Sequence, residues 1–288
     1  MTLSLIVLAA GLGSRFGGIK QMAAVDEAGH SLIDYSVYDA QRAGFDRIVC
    51  VVTPQLEPEF HERIGRHIAR HVDLAYAHQT LDLLPPGHVV PPARVKPWGT
   101  AHAVLSALPQ VNGDFATINA DDFYGSDAYR VMADFLRTPA PDHALVGYRL
   151  DSTLSANGTV SRGVCAVADG RLAGIVEHTA LKPTPGGATD EAGTFIPGDA
   201  SVSLNFWGFR ASAAAAFRDG FPAFLDRPGA ATAEFFLPDV AATLIPSVRV
   251  LPTTSTWLGI TYADDLALVR CHLAELVATG YYPAVLWP

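Results

Sequence analysis

The chain has 288 residues, of which 49% are hydrophobic, so it can bury a sizeable core as one α/β domain or as two small ones. Its net charge of −9 and the lack of any Lys/Arg run argue against contact with a nucleic-acid polymer, so a phosphate site would have to be local. No apolar stretch is long enough to span a membrane. The first apolar segment follows Met1-Thr2-Leu3-Ser4 without a basic region, so we expect a cytoplasmic protein without a signal peptide.

The first predicted element is a buried strand that leads into a glycine-rich turn. Five apolar residues run from position 5 to 9, and four glycines follow between positions 11 and 18. Glycine lets the backbone turn tightly and approach a ligand, and main-chain N–H groups in such a turn can point at phosphate oxygens. Arg15 and Lys20 add two positive charges to this turn. The segment therefore predicts a binding site for a nucleoside triphosphate.

The spacing of this turn matches neither the GxxxxGK[ST] pattern nor the GxGxxG pattern. It resembles the LAAGxGxR…K signature of the nucleotidyltransferases that couple a sugar phosphate to a nucleotide. The resemblance implies catalytic roles for Arg15 and Lys20. It also implies that the nucleotide is bound by Leu8, Ala9, Ala10, Gly11, Gly13 and Ser14. The alternative is a plain strand-to-helix turn that binds nothing.

Strands and helices alternate along the following residues. A helix is predicted from Ser31 to Gly44, strands are predicted at 47–52 and 72–77, and Pro58 opens a helix between those strands. This alternation predicts a parallel sheet with helices on both faces and ligands at the carboxyl ends of the strands. The resemblance implies an α/β fold: a Rossmann-like, three-layer α/β/α arrangement with a mixed, mostly parallel sheet, similar to the GT-A fold of nucleotide-diphospho-sugar transferases, with an inserted β-hairpin region.

Gln79 follows the third predicted strand, and Gly99-Thr100 opens the next helix. In the family that the chain resembles, a Gln and a glycine at these places contact the edge of the base. An amide presents a donor and an acceptor side by side, and a glycine leaves a backbone group open to a planar base, which together suit uracil or thymine. The alternative is that Thr100 caps the helix to Leu108 and Gln79 is a surface residue.

Two adjacent carboxylates, Asp121 and Asp122, follow the buried strand at 114–120. They would repel each other without a cation, and Mg²⁺ is the usual cation where phosphates are the substrate. The resemblance implies that Asp121 binds the metal, while Asp122 orients water beside it. Many relatives place a second metal-binding Asp two residues after a Trp, but that position is Gly259 here, so Asp264 or the adjacent Asp265 would have to reach the metal.

The second half of the chain predicts a β-hairpin around the Asp169-Gly170 turn. Glu177-His178 resembles the family's Glu-Lys pair, whose carboxylate accepts hydrogen bonds from sugar hydroxyls; an exposed Glu without such a role is the alternative. The many prolines and glycines of segment 182–200 predict a long irregular loop over the substrate. In the strand at 201–209, alternation puts Asn205 and Trp207 on one face, where they can contact the sugar or belong to the core.

We therefore interpret the chain as one nucleotidyltransferase domain over 1–288. It comprises a nucleotide-binding half at 1–150, a sugar-phosphate-binding half at 151–260, and a C-terminal helix and tail at 261–288. The apolar tail residues at 281–287 predict contact with the core or with a second copy of the chain, as in a homodimer.

The resemblance implies Mg²⁺-dependent attack of a sugar 1-phosphate on the α-phosphorus of an NTP, with release of pyrophosphate and UTP or dTTP as the nucleotide. The short turn with Lys20-Gln21 also resembles cytidylyltransferases that act on alcohol or polyol phosphates. A non-catalytic homologue that senses NDP-sugars is a further alternative. A GT-A glycosyltransferase would need a D-x-D motif, which Asp121-Asp122 does not supply.

Overall fold

The computed structural model describes residues 2–11, 22–155, 158–260 and 264–287. The strands are β1 (Ser4–Leu8), β2 (Arg47–Val52), β3 (Asp73–His78), β4 (Phe115–Asn119), β5 (Asp122–Phe123), β6 (His143–Arg149), β7 (Val160–Ala168), β8 (Arg171–Thr184), β9 (Gly187–Thr189), β10 (Phe195–Pro197), β11 (Ser201–Phe209), β12 (Val248–Pro252) and β13 (Leu258–Gly259). The helices are α1 (Leu32–Ala43), α2 (Glu57–Phe60), α3 (Arg66–Ile68), α4 (Thr100–Ala107), α5 (Ser126–Arg137), α6 (Ala214–Leu225), α7 (Leu237–Thr243) and α8 (Asp265–Ala278). A π-helical turn, His61–Gly65, joins α2 to α3.

The first part of the chain forms the parallel part of a mixed sheet. β1 lies between β2 and β4, and β3 pairs with β2, all in parallel. The register sets Leu8 beside Asn119 and Val52 beside His78, so these strands end at one edge of the sheet. The alternation of apolar strands and amphipathic helices correctly predicts this part of the sheet.

Beyond β4 the sheet is largely antiparallel, which corrects the prediction of a mostly parallel sheet. β11 inserts between β4 and β6 and is antiparallel to both, and it also pairs with β7. Of the remaining pairs among the described residues, β6 and β12 are parallel, whereas β7 with β8 and β8 with β12 are antiparallel. The β-α alternation on which the prediction depends stops after β6, where hairpins take over.

The predicted hairpin is present, and the predicted irregular loop at 182–200 is wrong. Asp169 and Gly170 both have positive φ, as a tight two-residue turn requires, and they join β7 to β8. β8 continues through Pro183 to Thr184 and pairs with β9, which pairs with β10. A Pro at an edge position is compatible with a strand, and Gly186 supplies the positive φ of the next turn. Proline content alone therefore does not predict a loop here.

Apolar side chains cover both faces of the sheet. Alternate residues of β1 point to opposite sides, so Leu5 and Val7 pack into one cluster with α1 and α5, while Ile6 packs into a second cluster with α4, α6 and α7. The C-terminal tail packs on its own chain, since Tyr282 and Leu286 are each 2% exposed and lie in a third cluster. Among the described residues, no helix is long and apolar enough to cross a membrane.

Candidate active site

A cavity of about 440 Å³ opens at the sheet edge where the parallel strands end. Its walls come from the turn after β4, from the β7–β8 hairpin, from the start of β11 and from the starts of α4 and α7. The lining residues are Thr100, Asn119, Asp121, Asp122, Ser161, Arg162, Gly163, Glu177, Ser203, Leu204, Asn205, Phe236, Pro238, Asp239 and Trp257. The cavity thus draws on residues from both predicted halves of the chain, as a ligand site at the carboxyl ends of strands does.

The glycine-rich turn begins beside this cavity. The Leu8 carbonyl accepts a hydrogen bond from Ala120 N at 3.3 Å, and Ala9 N donates to the Val51 carbonyl at 2.9 Å. Ala10 is buried, and Gly11 is exposed. The predicted site residues Gly13, Ser14, Arg15 and Lys20 lie outside the described residues, so their roles stay predictions.

Gln79 and Gly99, which are both predicted to contact the base, lie next to each other. Gln79 Nε2 donates to the Gly99 carbonyl at 2.8 Å and lies 3.3 Å from His102 Nδ1. Burial lowers the pKa of His102 to about 4, so the ring is neutral near pH 7 and donates from Nε2 to the Leu83 carbonyl at 3.0 Å. Nδ1 is then an acceptor. The Gln79 amide nitrogen is therefore engaged within the protein, and its oxygen is the atom left to accept a hydrogen bond from a base.

Gly99 allows two backbone segments to cross closely. Its φ is 105°, and a Cβ there would lie 2.6 Å from the Phe235 carbonyl oxygen. Phe235 N donates to the Trp98 carbonyl at 2.6 Å, and Ala101 N donates to the Phe235 carbonyl at 2.9 Å. The crossing by itself requires glycine at position 99, and contact with a base stays a prediction.

Thr100 lines the cavity as the first residue of α4, and it caps α7 instead of α4, the helix named in the alternative interpretation. Its Oγ1 accepts a hydrogen bond at 2.9 Å from Leu237 N, which is one of the unpaired N–H groups at the start of α7. Gly99 occupies the capping position of α4. The Thr100 hydroxyl thus holds the start of α7 against the start of α4.

The two adjacent carboxylates both line the cavity. Asp121 lies in the turn between β4 and β5, where its carbonyl accepts from Ile260 N at 3.2 Å. Asp122 is 7% exposed, and its Oδ2 accepts from Asn119 Nδ2 at 2.9 Å. Asp122 pairs with Gly259 in the short β5–β13 ladder. Both acids therefore line the cavity at the end of β4, and their role in metal binding stays a prediction.

The prediction that Asp264 supplies the second metal ligand is not supported by its position. Asp264 is exposed at the capping position of α8 and does not line the cavity. Asp265 is buried and lines a smaller neighbouring cavity instead. Asp264 directly precedes α8, and its side chain makes no capping hydrogen bond with the described residues of that helix.

Glu177 lines the cavity opposite Gly163, its partner in the β7–β8 hairpin. Desolvation raises the pKa of Glu177, and the positive charges of Arg162 and His178 act against this rise. His178, which stands in the place of the family's Lys, bonds through Nδ1 to Asp190 at 2.8 Å and does not line the cavity. Glu177 can therefore contact a ligand in the cavity, whereas the side chain of His178 is bonded to Asp190.

The sequence analysis missed Arg162, which lines the cavity and is 8% exposed. Nε and Nη2 donate to Thr153 Oγ1 and to the Thr153 carbonyl at 3.2 and 2.5 Å, and Nη1 donates to the Ser161 carbonyl at 2.8 Å. The guanidinium lies over the Trp257 ring, 4.7 Å from its centroid. These bonds use three of its five N–H groups, and no carboxylate among the described residues lies within ion-pair distance of it. The sequence feature that could have indicated Arg162 is its position directly before a strand glycine, Gly163.

β11 divides its predicted binding residues between the cavity and the core. Asn205 lines the cavity with a positive φ of 62°, and its Nδ2 lies 3.4 Å from Asn119 Oδ1. Trp207 pairs with Thr117, two residues deeper in the sheet, and is 0% exposed in a cluster with Phe209. Trp207 therefore does not contact a ligand in the cavity, which corrects its predicted role. The alternation of side chains along a strand predicts the side of the sheet on which a residue lies. It does not predict where along the strand helices begin to cover that side.

The described lining carries four carboxylates and one guanidinium. The acids are Asp121, Asp122, Glu177 and Asp239, and the base is Arg162. Asp239 lies in the first turn of α7, and desolvation raises its pKa. Carboxylate and amide oxygens are donors of the type that Mg²⁺ prefers. Among the described residues no group of three or more acids, histidines or cysteines is placed to hold a metal ion, so the Mg²⁺ site stays a prediction.

Comparison with known proteins gives a family match over much of the chain. Residues 4–193 match the family model described as nucleotidyl transferase. That span covers more than half of the chain and includes the glycine-rich turn, both adjacent acids and the β7–β8 hairpin. No curated protein matches the sequence significantly.

Solved structures share the fold at low sequence identity. A Bacillus anthracis protein assigned as a glucose-1-phosphate thymidylyltransferase aligns over 94% of this chain and 95% of its own, with a TM-score of 0.64 and 14% identity. A UDP-glucose pyrophosphorylase complexed with UDP-glucose aligns over 96% and 99%, with a TM-score of 0.63 and 18% identity. An inositol-1-phosphate CTP transferase from T. maritima aligns over 96% of both chains, with a TM-score of 0.64 and 15% identity. The mixed α/β fold is therefore that of these proteins.

Proposed function

The chain belongs to the nucleotidyl transferase family, and from this premise we propose that it couples a sugar 1-phosphate to a nucleoside triphosphate and releases pyrophosphate. One observation carries the proposal. A single cavity joins Asp121, after β4 and beside the start of the glycine-rich turn, to Arg162 and Glu177 on the β7–β8 hairpin. A polyphosphate and a hydroxylated phosphate ester each find chemically suited groups in such a cavity.

In the proposed reaction an oxygen of the sugar phosphate attacks the α-phosphorus of the NTP. A new phosphorus–oxygen bond forms, the bond from the α-phosphorus to the bridging oxygen breaks, and pyrophosphate leaves with the electron pair. Arg15 and the amides of the turn would hold the triphosphate, and Lys20 would lie between the two reacting phosphates. Catalysis then consists of positioning and charge neutralisation, with no covalent enzyme intermediate.

Asp121 would hold Mg²⁺ at the negative end of the cavity, and Asp122 would orient water beside the ion. When bound, Mg²⁺ supplies positive charge that offsets the phosphates of the substrates. The oxygen donors on Asp121, Asp122 and Asn119 are the atom type that this ion prefers.

The sugar phosphate would lie against the hairpin and the start of β11. Arg162 retains two N–H groups beyond those bonded to Thr153 and Ser161, and a guanidinium suits a phosphate group. Glu177 and Asn205 add an acceptor and an amide for hydroxyl groups. Arg162 would thus bind the phosphate group of the substrate, and Glu177 and Asn205 would bind the hydroxyl groups of its sugar ring.

UTP or dTTP is the proposed nucleotide. The amide nitrogen of Gln79 is already bonded within the protein, so its amide oxygen can accept a hydrogen bond from the base. The N3–H group of uracil or thymine is a suitable donor. The amino group of cytosine is also a donor, so a cytidylyltransferase acting on a polyol phosphate is the second candidate. The neighbours named for thymidylyl transfer, UDP-glucose and CTP support both candidates.

A substrate panel tests the proposal. Four NTPs are combined with hexose 1-phosphates and inositol 1-phosphate, and pyrophosphate release is measured with and without Mg²⁺. We expect release that requires both substrates and Mg²⁺ and that is lost in Asp121→Asn, while the exposed control Asp134→Asn keeps it. Tight UTP binding without turnover for any pair would instead favour a non-catalytic sensor, and transfer of sugar from an NDP-sugar would favour a glycosyltransferase.

A further inference from the structure

A cavity of about 530 Å³ lies between the segment before α1, the residues around α3 and the C-terminal tail. It shares no lining residue with the candidate active site. Two guanidinium groups, three imidazole rings and an indole line it, and no carboxylate does among the described residues. These side chains are His30, Arg63, His67, Arg70, His71 and Trp287. The cavity is thus rich in basic groups, although the chain has a net charge of −9.

Two of the imidazole rings are held from behind by acids that do not line the cavity. His30 Nδ1 bonds to Asp26 Oδ2 at 2.6 Å, and His67 Nε2 bonds to Asp34 Oδ1 at 2.5 Å. The carboxylates of Asp26 and Asp34 are 12% and 2% exposed. The other nitrogen of each ring has no hydrogen-bond partner within the described part of the chain. Each ring is therefore fixed through one nitrogen and can bond to a ligand through the other.

The guanidinium groups are available to a ligand as well. Arg70 makes no side-chain hydrogen bond or ion pair with any residue that the structure describes. Arg63 pairs with Glu59 at 3.2 Å, and both of these side chains are 52% exposed. An exposed ion pair of this kind contributes little to stability, so Arg63 can exchange it for a ligand at little cost. The planar guanidinium fork suits the oxygens of a phosphate group.

Trp287 forms one wall of the cavity and positions the third imidazole. The ring of His71 stacks on Trp287, with the centroids 5.1 Å apart and the planes at 9° to each other. Trp287 Nε1 donates to Gln41 Oε1 at 3.1 Å, and Tyr38 packs edge-on against the indole. Two residues of α1 thus fix the indole, which in turn holds His71. Groups that are held in place before binding lose less conformational freedom when a ligand arrives.

We propose that this cavity binds a phosphate-bearing anion, at a place separate from the site of nucleotidyl transfer. Arg63 and Arg70 supply charged donors, and the three imidazole rings add nitrogens that have no other bond. No acid of the described lining repels the phosphate. A divalent cation does not suit the cavity, because no group of three or more His, Cys, Asp or Glu in the described ranges is placed to hold a metal ion.

The histidine rings report directly on binding in this cavity. The full chain, labelled with ¹³C in its histidine rings, is titrated at constant pH and ionic strength with inorganic phosphate and, separately, with glycerol 3-phosphate. We expect the proton–carbon NMR signals of His30, His67 and His71, assigned from single His→Gln variants, to shift and to saturate. The signal of His61, an exposed residue outside the lining, should stay in place.

Arginine variants measure the contribution of the charged donors. We expect Arg70→Gln and Arg63→Gln each to raise the half-saturating phosphate concentration by about tenfold, as for a lost charge-assisted hydrogen bond. Arg66→Gln is the matched control, because Arg66 is exposed on the same segment and pairs with Glu62 outside the lining. It should change that concentration by less than about twofold. Arg162→Met, in the candidate active site, should also leave it unchanged.

The two ligands distinguish the sources of the phosphate group. Equal half-saturating concentrations support a site for the phosphate group alone, and tighter binding of glycerol 3-phosphate supports a site for a phosphate ester. Shifts that fail to saturate, or that sodium chloride alone reproduces, overturn the proposal. So does an unchanged concentration in Arg70→Gln and Arg63→Gln that thermal unfolding shows to be folded, or loss of the shifts in Arg162→Met. The test measures no turnover, so its outcome does not depend on the proposed reaction.

Discussion

Gln79 donates a hydrogen bond to the Gly99 carbonyl at 2.8 Å and thereby joins the turn after β3 to the start of α4. We expect Gln79→Leu to raise the KM for the NTP by about tenfold, which corresponds to the loss of roughly one good hydrogen bond. The KM for the sugar phosphate should not change, since Gln79 does not line the cavity of Arg162 and Glu177. Steady-state kinetics with each substrate varied in turn measures this split, and the exposed Gln55→Leu is the control. Equal changes in both KM values would contradict a role at the base.

Arg162 is the described cavity's one cationic side chain, and its removal should act on the second substrate. We expect Arg162→Met to raise the KM for the sugar phosphate by about tenfold to a hundredfold, as for a lost charge-assisted hydrogen bond. Arg162→Lys keeps the charge without the planar fork and should lie between that variant and the wild type. The exposed Arg149→Met is the control. A sugar-phosphate KM that stays at the wild-type value, in a variant with normal thermal stability, would show that Arg162 only supports Thr153 and Trp257.

The buried Asp39 makes the stability of the fold depend on pH. Tyr282 OH donates to its Oδ2 at 2.6 Å, and Oδ1 has no hydrogen-bond partner among the described residues. Burial raises the pKa of Asp39 to about 7, while the bond from Tyr282 lowers it. The folded chain therefore holds a proton that the unfolded chain releases near pH 4, so this contribution to stability is complete below pH 4 and is lost as pH rises to 7.

The variant Asp39→Asn cannot titrate and isolates this effect. Relative to the variant, we expect the wild type to lose about 2 kcal/mol of unfolding free energy between pH 5 and pH 7. Urea unfolding of both proteins at the two pH values gives the difference, with the exposed Asp46→Asn as a control. A free-energy difference that is the same at both pH values would rule out a raised pKa.

Lys20 lies outside the described residues, and its proposed place is between the reacting phosphates. Loss of a preorganised charge lowers turnover by about two to four powers of ten, so Lys20→Ala should show a drop of that size at saturating substrates. The exposed Lys96→Ala should turn over normally. Near-normal turnover of Lys20→Ala would refute the role that the glycine-rich turn predicts.

The sequence predicts those features that local chemistry determines. The Asp169-Gly170 turn supplies two positive φ values and specifies its hairpin, and the acids after β4 lie at the end of a strand that is buried by its own apolar run. The pairing of Gln79 with Gly99 follows from their places at the end of β3 and the start of α4.

The features that the sequence does not predict depend on tertiary packing. Alternation predicts one strand face for Asn205 and Trp207. Asn205 lies where the register of β11 shifts, and Trp207, two residues further along, is buried among helices. Arg162 enters the site because its guanidinium is held by Thr153, beyond the turn before β7, and by Trp257, which is distant in sequence. The close approach of Gly259 to Asp122 depends on the pairing of β5 with β13, which joins segments far apart in the sequence.

The central claim is that a sugar phosphate attacks the α-phosphorus of an NTP in this cavity, and the fate of the NTP phosphates tests it most directly. The wild-type chain is incubated with Mg²⁺, an active sugar phosphate and an NTP that carries a radiolabel on either the α- or the γ-phosphate. The account predicts that the α-label appears in a sugar nucleotide and the γ-label in pyrophosphate, in equal amounts. Release of the γ-label as orthophosphate, or an α-label that never joins the sugar, would contradict it.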